Sequence, residues 1–386
     1  MARNRVIYQS EALYVSRNIL SSTSGAHAQL DRVQSANYSF TVNRQDINQF
    51  GELGRIGYVT LEPPTVNLDF SYYLTDGSNE RAMNFYVKTG AAVERTFLSG
   101  HMVSDFSGQN FYILTSTEGN DVNNTTGDAA GAGNYIKNAI GIGNAYITNY
   151  SLDASVGSMP TVSVSFEGAN INAVTGVTAT PGGWAGLQLA SVNPESGTAL
   201  SATAVVLPSG KSSLAAANIP ALRPGDITLN LNAFHATGAD SNGIFVRVSG
   251  TDAIHIQSAA LSIPLSRTPI QRLGSRFAFS RPLDLPASAT LSVSAIVNEM
   301  TAENLASVLD STIERDVTLA IKVPGSTTVD AVVYTLRKCR LDSESFSSSV
   351  GGNKTVDLVF STQYASLNET GRGVFMSGSG SVVIFS

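Results

Sequence analysis

The sequence predicts a mainly β chain built as two tandem β-sandwich or barrel domains, each with one flanking α-helix. Three observations carry that expectation. The first is a repeat: residues 33–51 read VQSANYSFTVNRQDINQFG and residues 256–274 read IQSAALSIPLSRTPIQRLG. Gln34, Ser35, Ala36, Ser39, Arg44, Ile47 and Gly51 match Gln257, Ser258, Ala259, Ser262, Arg267, Ile270 and Gly274 without a gap. The separation stays at 223 residues (257 − 34) through Pro63/Pro286 and Leu68/Leu291. Solenoid units run from about 20 to 50 residues, so a period this long points to a duplicated domain. The second observation is period-two alternation. The third is a single strong helical signal per copy.

Taken in order, residues 1–32 lead into the first copy. Residues 65–73, TVNLDFSYY, place Val66, Leu68, Phe70 and Tyr72 on one face and polar residues on the other, as in a half-buried strand. The second copy alternates through Ala289, Leu291, Val293, Ala295 and Val297. Pro63, Pro64 and Pro286 precede these strands, where a missing N–H does least harm to a ladder. A short helix is expected next: SNERAMNFYV in the first copy, with Ser78 as cap, Glu80 in the first turn and Ala82 and Phe85 on the apolar face. In the second copy the helix is expected over residues 301–311, with Thr301 as cap and Leu305, Val308 and Leu309 at i, i+3 and i+4. Each copy closes with a hairpin: Leu152-Asp153 then TVSVSF (161–166), and Leu341-Asp342 then TVDLVF (355–360). Aligned on those Leu-Asp pairs, the offset changes from 189 to 194, which predicts a turn five residues longer in the second copy.

Besides residues 1–32, two stretches fall outside the match. Residues 116–143, rich in Gly, Asn and Ala, read as a long loop. Residues 172–225, rich in Ala, Ser, Gly and Pro, read as a linker or a small β-module around Trp184. The last residues, SGSGSVVIFS (377–386), read as a flexible run and then an apolar strand. The expected division is 1–171, first domain; 172–225, linker or insert; 226–386, second domain.

Composition bounds the function. Charged residues are 14% against an average near 25%, so the surface is unusually neutral, with Ser, Thr, Asn and Gly in place of Lys and Glu. The net charge of −6 provides no basic face of the kind that grips nucleic acid. Cys339 is the one cysteine and has no internal partner, so it reads as a small buried hydrophobe. No signal-peptide pattern or stretch near the ~20 apolar residues of a membrane span occurs.

Reactive patterns are missing. His27, His101, His235 and His255 form no H-E-x-x-H, DGSNE (76–80) lacks the calcium-loop spacing, and GIGNAY (141–146) lacks the third glycine of a phosphate cradle. The expectation is therefore no enzyme, no metal and no cofactor. Arg44 and Arg267 are the matched charges of the first repeat block. They read either as a structural salt bridge or carbonyl cap, or as a contact between subunits, since arginine is enriched at interfaces.

RVQSANYSFTVNRQDINQFGELGRI followed by LEPPTVNLDFSYYLTDGSNE resembles the major tail (tail tube) protein of tailed bacteriophages, most closely over residues 29–81 and again, more weakly, in the second copy. The resemblance implies tail-tube-like domains, self-assembly into rings that stack into a tube, and a location in the virion tail after assembly in the host cytoplasm. A tandem chain would need three copies per ring instead of six. Implied partners are further copies of the chain and the tape-measure, tail-terminator and distal tail proteins; genomic DNA would pass through the lumen without specific binding, and no membrane is involved. Rival readings are a distal tail, baseplate or collar protein with the same domain, and a carbohydrate-binding adhesin or decoration module.

Overall fold

The computed structural model describes residues 11–16, 26–102, 108–116, 121–123, 136–180, 183–198, 204–208, 222, 225, 227–230, 255–275, 277–297, 314–323, 326, 329–364 and 366–378. These are mainly β. The first part contains β1 (Glu11–Ser16), β2 (His27–Gln29), β3 (Val33–Thr41), β4 (Arg44–Ile47), β5 (Gly57–Thr60), β6 (Thr65–Tyr73), the helix α1 (Ser78–Ala82), β7 (Gln109–Thr115), β8 (Ile136–Ser155) and β9 (Thr161–Gly168). Next come β10 (Asn170–Thr180), β11 (Gly183–Gln188) and β12 (Ala204–Leu207). The last part contains β13 (Ile227–Asn230), β14 (His255–Pro264), β15 (Ser288–Ile296), β16 (Arg315–Lys322), β17 (Asp330–Ser347), β18 (Thr355–Gln363) and β19 (Gly373–Gly378).

Apart from the β4–β5 hairpin, the strands form one hydrogen-bonded network. Its centre is an antiparallel sheet of eight strands in the order β3-β6-β9-β8-β14-β15-β18-β17. Two outer layers cover one face of it: β1-β7-β8-β10 beside the first four strands, and β13-β16-β17-β19 beside the last four. The long strands β8 and β17 serve both layers. Each has a register shift part-way along, at Ile147/Asn149 and at Leu341/Ser343, and a bulge there lets one strand bend from the outer sheet into the central one. Alternation decides which face is covered. Val66, Leu68, Phe70 and Tyr72 are buried, as are Ala289, Leu291, Val293 and Ala295, and they pack into one core with the outer layers. Phe111 of β7 meets Phe166 of β9 at 4.6 Å between ring centroids.

Pairing register repeats between the two halves. Ser35 faces Ser71 as Ser258 faces Ser294, and Tyr73 faces Thr161 as Ile296 faces Thr355. The β3–β6 shift at Val33/Ser35 recurs at Ile256/Ser258, 223 residues on. The β8–β9 pairing recurs as β17–β18 at a constant offset of 194: Ile147–Phe166 corresponds to Leu341–Phe360, and Asp153–Thr161 to Ser347–Thr355. This corrects the expected five-residue difference in turn length, because both turns are equally long. Leu152-Asp153 is therefore not the counterpart of Leu341-Asp342. The shared dipeptide misled because alternating strands offer several apolar-polar registers, and backbone pairing alone chooses among them.

Two other expectations change. Residues 136–143 belong to β8 rather than to a loop. The glycines there mark close approach by neighbours: a Cβ on Gly143 would lie 2.1 Å from the Ala190 backbone carbonyl oxygen, and one on Gly141 2.3 Å from the side-chain oxygen Oδ1 of Asn172. Gly143→Ala is expected to destabilise the fold by about 3 kcal/mol, since the obstacle at that position is backbone and cannot rotate away; urea unfolding against the parent chain measures this. The helix is also shorter than expected and starts differently. Gly77, at φ 89°, occupies the cap position expected for Ser78, and the Asp76 carboxylate accepts from the Ser78 N–H at 3.2 Å. The helix stops because Asn84 takes a left-handed conformation (φ 69°) while its Nδ2 donates to the Gly100 carbonyl at 2.6 Å. Ala82 and Phe85 are both buried, Phe85 from beyond the helix. The helix expected at 301–311 and the terminal run from 379 lie outside the described residues.

Within 172–225, strands form. β10 crosses the expected boundary at 171 and pairs with the first part of β8, then β11 and β12 extend the layer. They enclose a second small core in which Trp184 is fully buried beside Val177, Leu187, Val205 and Leu207.

Candidate assembly edges

The halves of the chain join edge to edge through β8 and β14. Seven residue pairs run from Ser258–Ser155 to Pro264–Asn149. On the core side Leu261 lies opposite Leu152 and Ile263 opposite Tyr150, and all four are at most 1% exposed. The chain then continues along the same edge: the Leu265 N–H donates to the Thr148 carbonyl at 2.9 Å. Arg267 follows. Its Nε donates to the Ile147 carbonyl at 3.3 Å, and its terminal nitrogens donate to the carbonyls of Arg281 (2.8 Å) and His101 (3.4 Å). The guanidinium also sits 5.2 Å from the Tyr146 ring centroid. Burial lowers its pKa to about 10, which leaves it charged at neutral pH.

Arg267 opens a hairpin-like excursion equivalent to β4–β5. Arg44 pairs with Thr60 and Ile47 with Gly57; 223 residues on, bridges join Arg267 to Leu283 and Ile270 to Ser280. The tips turn at Gly51 and Gly274, with φ of 91° and 87°. The second excursion rests on the first half: Arg281 pairs with Glu167 and lies 5.9 Å from the Tyr146 centroid, and the Phe277 N–H donates to the Pro194 carbonyl at 3.1 Å. The first excursion projects into solvent. Arg44 is exposed there, 5.3 Å from the Tyr58 ring, and Arg55 pairs with Asp46 at 2.9 Å. The two matched arginines are thus far apart in role: Arg267 caps carbonyls at the joint between halves, and Arg44 occupies the corresponding position on an exposed edge.

That edge is the outer side of β3. Among the described residues β3 pairs only with β6, and residues 340–347 of β17 pair only with β18, so the eight-stranded sheet ends in two open edges. Carried by the offsets of 223 and 194, the β8–β14 register sets Tyr38 opposite Phe346 where Leu261 meets Leu152, and Phe40 opposite Glu344 where Ile263 meets Tyr150. Tyr38, Phe40 and Phe346 are 41%, 62% and 38% exposed, against near-complete burial of their internal counterparts. Long open edges with apolar side chains are templates for pairing.

Behind the internal joint lies a buried polar cluster. Tyr72 donates to Glu80 Oε1 at 2.7 Å, Tyr150 reaches the same oxygen at 3.3 Å, and the Tyr150 and Tyr334 hydroxyls are 2.7 Å apart. Tyr334 comes from β17, so the cluster ties the halves together. Phe85 and Phe97 stack at 4.2 Å, with Tyr150 edge-on to both. Burial pushes the Glu80 carboxyl up to about 7. Elsewhere on β17, Cys339 is buried and has its thiol pushed up to about 12, also by burial. Among the described residues no three of His, Cys, Asp and Glu gather as a metal site would require.

No protein-family model matches the chain, and no curated protein matches it. The residues that line the open edges could not be singled out from the sequence, because Tyr38 and Phe346 are ordinary alternating strand residues until the neighbours on either side are known.

Proposed function

We propose that the chain is a non-enzymatic structural protein of a bacteriophage virion, with two tandem tail-tube-type domains, and that three copies join head to tail into a six-lobed ring that stacks into the tail tube. The observation that carries this reading is the central sheet with one open edge at each end and, in its middle, a β8–β14 joint of the kind those edges would form. Heterologous contacts close into a ring when the rotation divides a full turn. Three sheets of eight strands at about 4.8 Å spacing make a closed barrel with a backbone diameter of roughly 37 Å even before strand tilt widens it.

The uncovered face of the sheet suits a conduit. It carries Ser35, Ser71, Ser163, Ser294 and similar hydroxyls, with Asp69, Asp153 and Asp357 among them. Strands β3, β6, β9, β14, β15 and β18 and the second part of β8 contain no Lys or Arg. Phosphates would find no cation to hold them along those strands and would be repelled at distances up to the Debye length, about 8 Å in physiological salt. The tape-measure, tail-terminator and distal tail proteins are the partners this role requires.

Electron microscopy of the purified chain tests the proposal. Long hollow tubes with three chains and six lobes per ring are expected. Isolated rings would favour the distal tail or collar reading. Six chains per ring, or a monodisperse monomer that binds glycans, would overturn it.

A further inference from the structure

The two excursions meet different surroundings, and the difference is ordered. Around Tyr146 stand two guanidiniums, Arg267 at 5.2 Å and Arg281 at 5.9 Å. The counterpart of Arg281 on the first excursion is Tyr58 (281 − 223), and the counterpart of Tyr146 on β17 is Arg340 (146 + 194). The arginine and the tyrosine have exchanged places. The flanking geometry repeats as well: Asn144 and Lys338, two residues before Tyr146 and Arg340, both adopt left-handed conformations, with φ of 51° and 53°. Arg340 is anchored by Glu314 at 3.4 Å, as Arg281 is by Glu167.

We propose that the exposed β4–β5 excursion seats on the Lys338–Leu341 segment of a second copy of the chain, with Arg44 on the Leu341 carbonyl and the Tyr58 ring between the Arg44 and Arg340 guanidiniums. The occupant is a second copy because the same surface in the first half is already covered by the chain's own second excursion. This rests on the head-to-tail reading and adds a device for correct order. When first-half excursions meet second-half seats, a tyrosine ring stands among the guanidiniums at both joints: Tyr146 between Arg267 and Arg281, and Tyr58 among Arg44, Arg340 and Arg55, which lies 5.6 Å from its centroid and is paired with Asp46. A second-half excursion displaced onto the second-half seat of a neighbour would bring Arg267 and Arg281 against Arg340, three guanidiniums without the ring between them. Desolvated like charges at an interface suppress wrong pairings. The internal joint's contacts of Phe277 with Pro194 and of Arg272 with Glu195 use a stretch with no counterpart in the repeat, so the exchanged pair carries the recognition at the outer joint.

Two measurements on the full chain test this. Tyr58→Cys with Arg340→Cys, in a Cys339→Ala background and treated with a short bis-maleimide after assembly, is expected to give bands at two and three chain masses on a denaturing gel, with neither single-cysteine control doing so. Normal rings that do not cross-link would overturn the seating and leave the ring reading intact; a parent chain that stays monomeric in sedimentation would overturn the ring reading and the seating with it. Separately, Tyr58→Arg is expected to raise the concentration needed for assembly at least about tenfold, because a cation–π contact is replaced by a like charge. Adding Arg340→Tyr is expected to restore it to within about threefold, since the exchanged pair then matches Arg281 and Tyr146. A double variant no better than the single would refute the exchange.

Discussion

Lysine at both Tyr38 and Phe40 is expected to leave the chain folded and to abolish the rings proposed above. Both side chains are exposed in the single chain, at 41% and 62%, so the substitution removes nothing from its core. At the joint they would occupy positions equivalent to Leu261 and Ile263, which are buried against β8. Covering two aromatic side chains contributes roughly 3–5 kcal/mol per joint at about 25 cal/mol per Å². Losing that raises the assembly concentration by at least about a hundredfold, and lysine on an edge also blocks strand addition. Sedimentation velocity should show monomers, while circular dichroism and the thermal midpoint stay at parent values. Rings identical to those of the parent would show that β3 is not a joining edge.

The second large effect concerns Glu80. Burial raises its carboxyl to about 7 in the folded chain, above the ordinary 4.5, so the neutral acid is the form the fold prefers. Below pH 4.5 the carboxyl is neutral whether the chain is folded or unfolded, and no penalty arises. As pH rises from there the unfolded chain releases its proton first, and stability falls until the folded carboxyl also ionises near pH 7. The loss then levels off at roughly 3 kcal/mol, from 1.36 kcal/mol per unit of pKa difference. Glu80→Gln removes this dependence. Its oxygen can accept from Tyr72 as Oε1 does, and its amide takes the place of Oε2, which has no hydrogen-bond partner among the described residues. The variant should therefore be more stable than the parent at pH 8 by up to about 3 kcal/mol and nearly equal to it at pH 4.5. Urea unfolding at the two pH values reads the difference. An equal gain at both would mean that titration of Glu80 is not the cause.

Different parts of this molecule are legible to different degrees. The strands over 65–73 and 288–296 are readable because alternation reports burial on one face only. The repeat at 33–51 and 256–274 is readable because seven side chains coincide without a gap. Residues 136–143 are not, since Gly141 and Gly143 look like loop residues until the Asn172 side chain is brought against the first and the backbone of residue 190 against the second. Ser78 resembles a cap, but the turn at Gly77 starts the helix one residue earlier. The hairpin offset fails for a related reason: Leu152-Asp153 and Leu341-Asp342 share letters, whereas the bulges at 147–149 and 341–343 show which residues share positions. Arg44 and Arg267 were recognisable as a pair. That one caps carbonyls at a joint while the other stands in solvent depends on which half of the chain follows the other.

That the chain is mainly β, and that one pattern of strands occurs twice, is written in local side-chain periodicity. That the two sets of strands merge into one eight-stranded sheet, with an open edge at each end among the described residues, and that Arg281–Tyr146 and Tyr58–Arg340 are exchanged counterparts, emerges from the pairing of distant strands. Register between distant strands is set by backbone hydrogen bonds, which every residue other than proline can make in much the same way, so it leaves little trace in the order of the side chains.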